Sequence, residues 1–157
     1  MLLIGSKAAK LRGFLPAWRG GWYGDIDLQG AKAEMEVFRK VAPITEEKKV
    51  NSTNKDKYLF FIPPRNVEFD TSPLPSVEMI YQLPDTIDGE IFGLPVKIIS
   101  AEVMYLQKRS IQGIFHKDKH PKDLEWLESR INLTEQHLLV YKQLRKEALE
   151  RFREWRH

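Results

Sequence analysis

Leu3-Ile4-Gly5-Ser6 and Asp25-Ile26-Asp27-Leu28 are the two stretches from which the fold is read. An apolar strand runs into Gly-Ser, a basic segment follows, and two carboxylates then alternate with two aliphatics. Alternate residues of a β-strand share a face. Asp25 and Asp27 therefore point the same way, and Ile26 and Leu28 point into a core. Neighbouring carboxylates repel unless a positive group stands between them, and hard oxygen donors suit Mg²⁺. The Gly5-Ser6 turn offers backbone N–H groups and a hydroxyl to phosphate. The expectation is a site for a metal-bound nucleoside triphosphate.

Working outward, Leu2 to Ile4 reads as a short buried strand, with Ser6 capping a helix from Lys7 to about Phe14, near Pro16. Residues 17–24 combine three glycines with three aromatics and read as a loop. Tyr23 to Leu28 is the strand bearing the Asp pair. Met35, Phe38 and Val41 have helical spacing over Ala31 to Val41, stopped by Pro43. Residues 45–56 are charged and polar, and Asn51-Ser52-Thr53-Asn54 is expected to be an exposed loop. Lys57 to Ile62 and Asn66 to Thr71 read as strands around Pro63-Pro64. In the second, Val67 and Phe69 face one side, and Glu68 and Asp70 the other. A short helix from Pro75 or Ser76 to Pro84 precedes a hairpin over Glu90 to Ile99. Ser100 caps the next helix, which ends near Gly113. Pro121 to Ile131 and Thr134 to Trp155 form two closing helices. This order predicts an α+β fold, a small mixed β-sheet flanked by helices. The domain spans 1–132, and the C-terminal helix, 133–157, packs on it.

The chain has 157 residues, enough for one core, and 42% hydrophobic with 30% charged residues is a globular composition. It has no cysteine, which excludes disulfides, thiolate zinc sites and cysteine nucleophiles. No apolar run is long enough to span a bilayer, so the expected location is the cytoplasm and no membrane partner is expected. The net charge is only +3, but every charge before Asp25 is basic: Lys7, Lys10, Arg12 and Arg19. Such a cluster suits phosphate or nucleic acid, or is a solvated basic face.

Gly5-Ser6 followed by Asp25-Ile26-Asp27 resembles the signature of the nucleotidyltransferase superfamily, with its DNA polymerase beta-like fold. The likeness covers roughly residues 1–130 and is nearest the minimal members of prokaryotes and their phages. It departs in the segment between Ser6 and Asp25, which is longer than usual and makes the loop with Trp18, Arg19 and Trp22 an enlarged lip. The resemblance implies that Gly5, Ser6 and Lys7 hold the triphosphate. It also implies that Asp25 and Asp27 ligate Mg²⁺ (or Mn²⁺), with a third carboxylate on a later strand. Glu68, flanked by Val67 and Phe69, fits that place best, and Asp70 is the alternative; either is otherwise a solvent-facing strand residue. The catalytic set expected is Asp25, Asp27 and Glu68, with Asp70 a further metal ligand. Lys122-Asp123-Leu124 resembles the Lys-Asp helix of minimal family members, and Lys108 and Lys122 are the expected additional triphosphate contacts.

His116 and His120 are four residues apart, but the intervening lysines and Pro121 argue against a helical zinc pair. Leu138, Tyr141, Leu144, Ala148, Phe152 and Trp155 form a stripe suited to intramolecular packing, and Trp155 is placed to touch a partner. Trp18, Trp22 and Tyr23 are placed to stack a base, or simply cover the core. The implied activity moves a nucleoside monophosphate from a nucleoside triphosphate to a hydroxyl or phosphate acceptor, and the basic bias favours RNA or another nucleic acid. Two rivals are a non-catalytic module of the same fold that engages a protein or nucleic acid, and a metal-dependent phosphodiesterase. Monomer and homodimer both remain open.

Overall fold

A computed structural model describes the backbone except at residues 17, 19–23, 53–54, 73, 116–119 and 157, and no side chain at 51–52, 55–56, 120 or 155–156. The elements are β1 (Leu2–Ile4), α1 (Gly5–Arg12), β2 (Ile26–Gln29), α2 (Lys32–Val41), β3 (Glu46–Ser52), β4 (Lys55–Ile62), β5 (Arg65–Asp70) and α3 (Pro75–Tyr81). They continue with β6 (Ile87–Ile91), β7 (Leu94–Ile98), α4 (Ala101–Ser110), α5 (His120–Glu128) and α6 (Glu135–Arg156). The strands form one mixed sheet of seven in the order β3-β4-β5-β2-β1-β7-β6. β2 pairs antiparallel to β1 and parallel to β5, and β1 pairs parallel to β7.

Central β1 explains why both faces of the sheet are covered. Leu2 and Leu3 point to opposite faces, yet both are fully buried. On one face, the apolar side of α2 lays Phe38 among Phe60, Phe69 and Phe92, with ring centroids 5.4, 5.8 and 6.0 Å away. α1 packs against β1 and β2, while α6 packs against α3 and α4, and α5 against α4.

Polar contacts fix α6 in place. Glu147, buried, accepts hydrogen bonds from the backbone N–H and the hydroxyl of Ser76 at the start of α3. His137 Nδ1 accepts from the Thr134 backbone N–H at 3.0 Å, and its Nε2 is 2.7 Å from Asp85 Oδ2. With Nδ1 accepting, Nε2 carries the proton toward Asp85. Arg145 donates to the carbonyls of Ser110 and Gln112.

Three expectations are corrected. Asn51 and Ser52, expected in an exposed loop, belong to the end of strand β3; it is an edge strand paired to β4, so it needs no apolar face. Residues 53–54 of that stretch lie outside the described residues. Ser6 does not cap α1. The helix begins two residues earlier, at Gly5, Ile4 occupies the cap position without a side-chain bond, and left-handed Gly13 ends the helix before Phe14. β2 begins at Ile26, so Asp25 precedes the strand. By contrast, Ser100 caps α4 as its sequence indicates, accepting from Val103 N–H at 3.2 Å.

Phe38→Ala should cost about 3–5 kcal/mol, as expected for a fully buried aromatic, out of the usual total of about 5–15 kcal/mol. Urea unfolding followed by circular dichroism measures it; a loss below about 1 kcal/mol would show that the aromatic cluster is not the centre of the core.

Candidate functional site

The site is built from strand register. Ile4 pairs with Asp27, and Asp27 pairs with Glu68 across the parallel β2–β5 junction. Ile26, Leu28, Val67 and Phe69 are buried on the other face. Alternation therefore brings the Asp27 and Glu68 carboxyl groups together on one face, where they share a hydrogen bond. A hydrogen bond between two carboxyl groups requires a proton on one of them. Burial, then the adjacent Glu68, then Asp25 push the Asp27 carboxyl up to about 7, against a small opposing effect of Lys57.

Gly5 stands against this pair. Its φ is +67°, a left-handed conformation that glycine adopts without strain, and a Cβ there would lie 2.5 Å from Asp27 Oδ2. Glycine is favoured at this position on both counts, since any other residue would be strained and would push the Asp27 carboxyl aside. The first turn of α1 starts at Gly5, and the N–H groups of a helix's first turn have no partner within the helix. Lys7, in that turn, has its pKa lowered by burial and by the neighbouring Arg65 and Lys10. Basic groups thus gather beside the Gly-Ser turn.

Asp25 is exposed and acts on Asp27 through its charge. Lys57 Nζ lies 3.1 Å from Glu68 Oε2. Asp70 follows Glu68 on the same face of β5, but its Oδ1 accepts from the Ser72 backbone N–H at 2.9 Å, which fixes the turn leaving the strand. Lys108 forms an ion pair with Asp123 at 3.1 Å, with side chains 13% and 2% exposed. Lys122 is exposed on α5 and lines a separate cleft with Trp18, Glu125, Trp126 and Arg130. The charges felt at Asp27 are those of Glu68, Asp25 and Lys57, and the Gly-Ser turn adjoins this carboxylate pair.

Sequence reasoning missed Lys57 and Arg65. Lys57 was legible only as the start of a strand, since its approach to Glu68 depends on the β4–β5 register, in which Leu59 faces Glu68. Arg19, Trp22, Tyr23, His116, Lys117 and Lys119 lie outside the described residues, as do the side chains of His120 and Trp155. Among the described residues, no group of three or more His, Asp and Glu side chains stands at metal-binding distance. Asp27 and Glu68 are two converging hard-oxygen donors, with Asp25 close enough to be felt. That donor set matches Mg²⁺ or Mn²⁺ chemistry, and a cation would offset the burial and the repulsion that together keep a proton on the pair.

The raised Asp27 pKa makes a stability prediction. Below 3.8 the group is protonated folded or unfolded; between 3.8 and about 7 the unfolded chain loses this proton while the folded chain keeps it. The folded state then binds more protons, so this group's contribution to stability falls as pH rises across that window and levels off above about 7. Asp27→Asn should flatten the fall and be more stable than the parent above neutrality. Urea midpoints across the window test this, and parallel curves for both proteins would contradict it. In comparison with known proteins, the chain matches no family model, and no curated protein shows significant similarity to it.

Proposed function

We propose that this protein is a metal-dependent nucleotidyltransferase that moves a nucleoside monophosphate from a nucleoside triphosphate to a hydroxyl or phosphate acceptor. The observation that carries the reading is the register of Asp27 with Glu68 on adjacent parallel strands, with Gly5 pressed against Asp27. The order β1, Gly-Ser helix, Asp strand, and acidic strand beside it is the arrangement expected of the nucleotidyltransferase fold.

In this reading the first-turn N–H groups at Gly5, Ser6 and Lys7 bind triphosphate oxygens, with the Lys7 and Lys10 charges adding attraction. Asp25, Asp27 and Glu68 hold the Mg²⁺, which when bound supplies charge neutralisation on the triphosphate and acidifies the acceptor hydroxyl. Glu68 exchanges its contact with Lys57 for that role. Asp27 gives up its proton, since a ligating carboxylate must be ionised. Ligand binding should therefore strengthen as pH rises through about 7. Asp70 keeps its turn bond and acts as a ligand only if Ser72 is released. No membrane partner is invoked; among the described residues no helix is long and apolar enough to cross a bilayer.

Calorimetric titration of each nucleoside triphosphate, with and without Mg²⁺, tests the reading. Saturable binding that needs Mg²⁺ and disappears in Asp25→Ala/Asp27→Ala is the expected outcome. Absence of binding to every triphosphate by the folded protein would overturn it.

A further inference from the structure

The cleft beside α5 is built from side chains that the carboxylate site does not use. It measures about 400 Å³ and is lined by Trp18, Lys122, Glu125, Trp126 and Arg130. The two indole rings meet edge to face at 5.2 Å and 88°. Arg130 lies over the Trp126 ring with its guanidinium carbon 3.1 Å from the centroid, held by hydrogen bonds to the Trp126 carbonyl and the Ser129 hydroxyl. Trp18 is 49% exposed, an unusual fraction for so large an apolar ring. Among the described residues, the buried indole N–H of Trp126 has no hydrogen-bond partner.

These parts select a class of ligand. Perpendicular tryptophans can enclose an organic cation, but Arg130 already occupies Trp126, and among the described lining residues Lys122 adds a second positive charge against one carboxylate, Glu125. The cleft thus favours an anion with a flat ring. A planar guanidinium pinned at one end is suited to phosphate, and an exposed indole face is suited to a nucleobase. Bases inside a duplex are stacked on one another and cannot offer a face, whereas single strands can.

We infer that this cleft binds one unpaired nucleotide of a single-stranded nucleic acid, with the base stacked on Trp18 and the phosphate on Arg130 and Lys122. As an acceptor site the inference rests on the nucleotidyl-transfer reading; as a binding site it does not.

The test is fluorescence anisotropy with labelled single-stranded RNA and DNA of about ten nucleotides, a duplex of the same sequence, and unlabelled nucleoside monophosphate as competitor. The intact protein should bind a single strand more tightly than the duplex or the monophosphate, and binding should weaken with salt. Trp18→Ala should weaken it about 5- to 150-fold, the range for losing one stacked base, and Trp18→Phe should restore most of the loss. Because Trp18 is half exposed, these variants are expected to fold, which thermal melting checks. Asp25→Ala/Asp27→Ala should bind the strand like the parent. Equal binding by the parent and Trp18→Ala, no preference for a single strand over the duplex, or a strand no tighter than the monophosphate would each overturn the inference. Strand binding that depends on Trp18 without any triphosphate binding would retain the cleft and remove the transferase reading; the opposite pair of results would do the reverse.

Discussion

Two carboxyl groups stand side by side on β2 and β5 because the other faces of the same strands allow nothing else. Ile26, Leu28, Val67 and Phe69 are all buried, and a slip of one residue in either strand would turn that set toward the carboxylates' face. Burying each of these side chains is worth about 1.5–3 kcal/mol. Holding Asp27 protonated up to about 7 corresponds to a penalty of about 4 kcal/mol once the group must ionise. The apolar face therefore outweighs the cost of burying Asp27 beside Glu68 on the polar one. Gly5 belongs to the same constraint, since a residue without Cβ lets α1 begin this close to Asp27 without displacing its carboxyl.

Much of this was legible in local sequence pattern. Alternation in Asn66 to Asp70 separated Val67 and Phe69 from Glu68 and Asp70 without knowledge of any neighbouring strand. Ser100 and the apolar spacing after it located α4. Met35 and Phe38 located α2. What failed did so for physical reasons. β3 carries Glu46, Glu47, Lys48 and Lys49 and has no apolar periodicity, because an edge strand is held by backbone bonds to β4 and its charges discourage further pairing. The Ser6 cap failed because the helix starts two residues earlier, at the left-handed Gly5.

The site was legible as a list of acids but not as an arrangement. Asp27 and Glu68 are far apart in the chain, and only strand order makes them neighbours. Lys57 reaches Glu68 and Lys108 reaches Asp123 for equally tertiary reasons. The Lys108–Asp123 pair also changes the meaning of the Lys-Asp sequence at 122–123. Asp123 is 1% exposed and joins α5 to α4, while Lys122 points to the Trp18 cleft. Adjacent residues on one helix thus serve the core and the surface separately, as helical geometry requires.

The position of β1 has a consequence for synthesis on the ribosome. One edge of this strand pairs with β2, made soon after it, but the other pairs with β7, made only after five other strands and three helices. Until Leu94 to Ile98 emerge, a nascent chain carries an apolar strand with an open edge at what will become the middle of its sheet. Such an edge is a template for pairing between chains. Premature termination before Leu94 would therefore leave a sticky fragment rather than a smaller version of the domain.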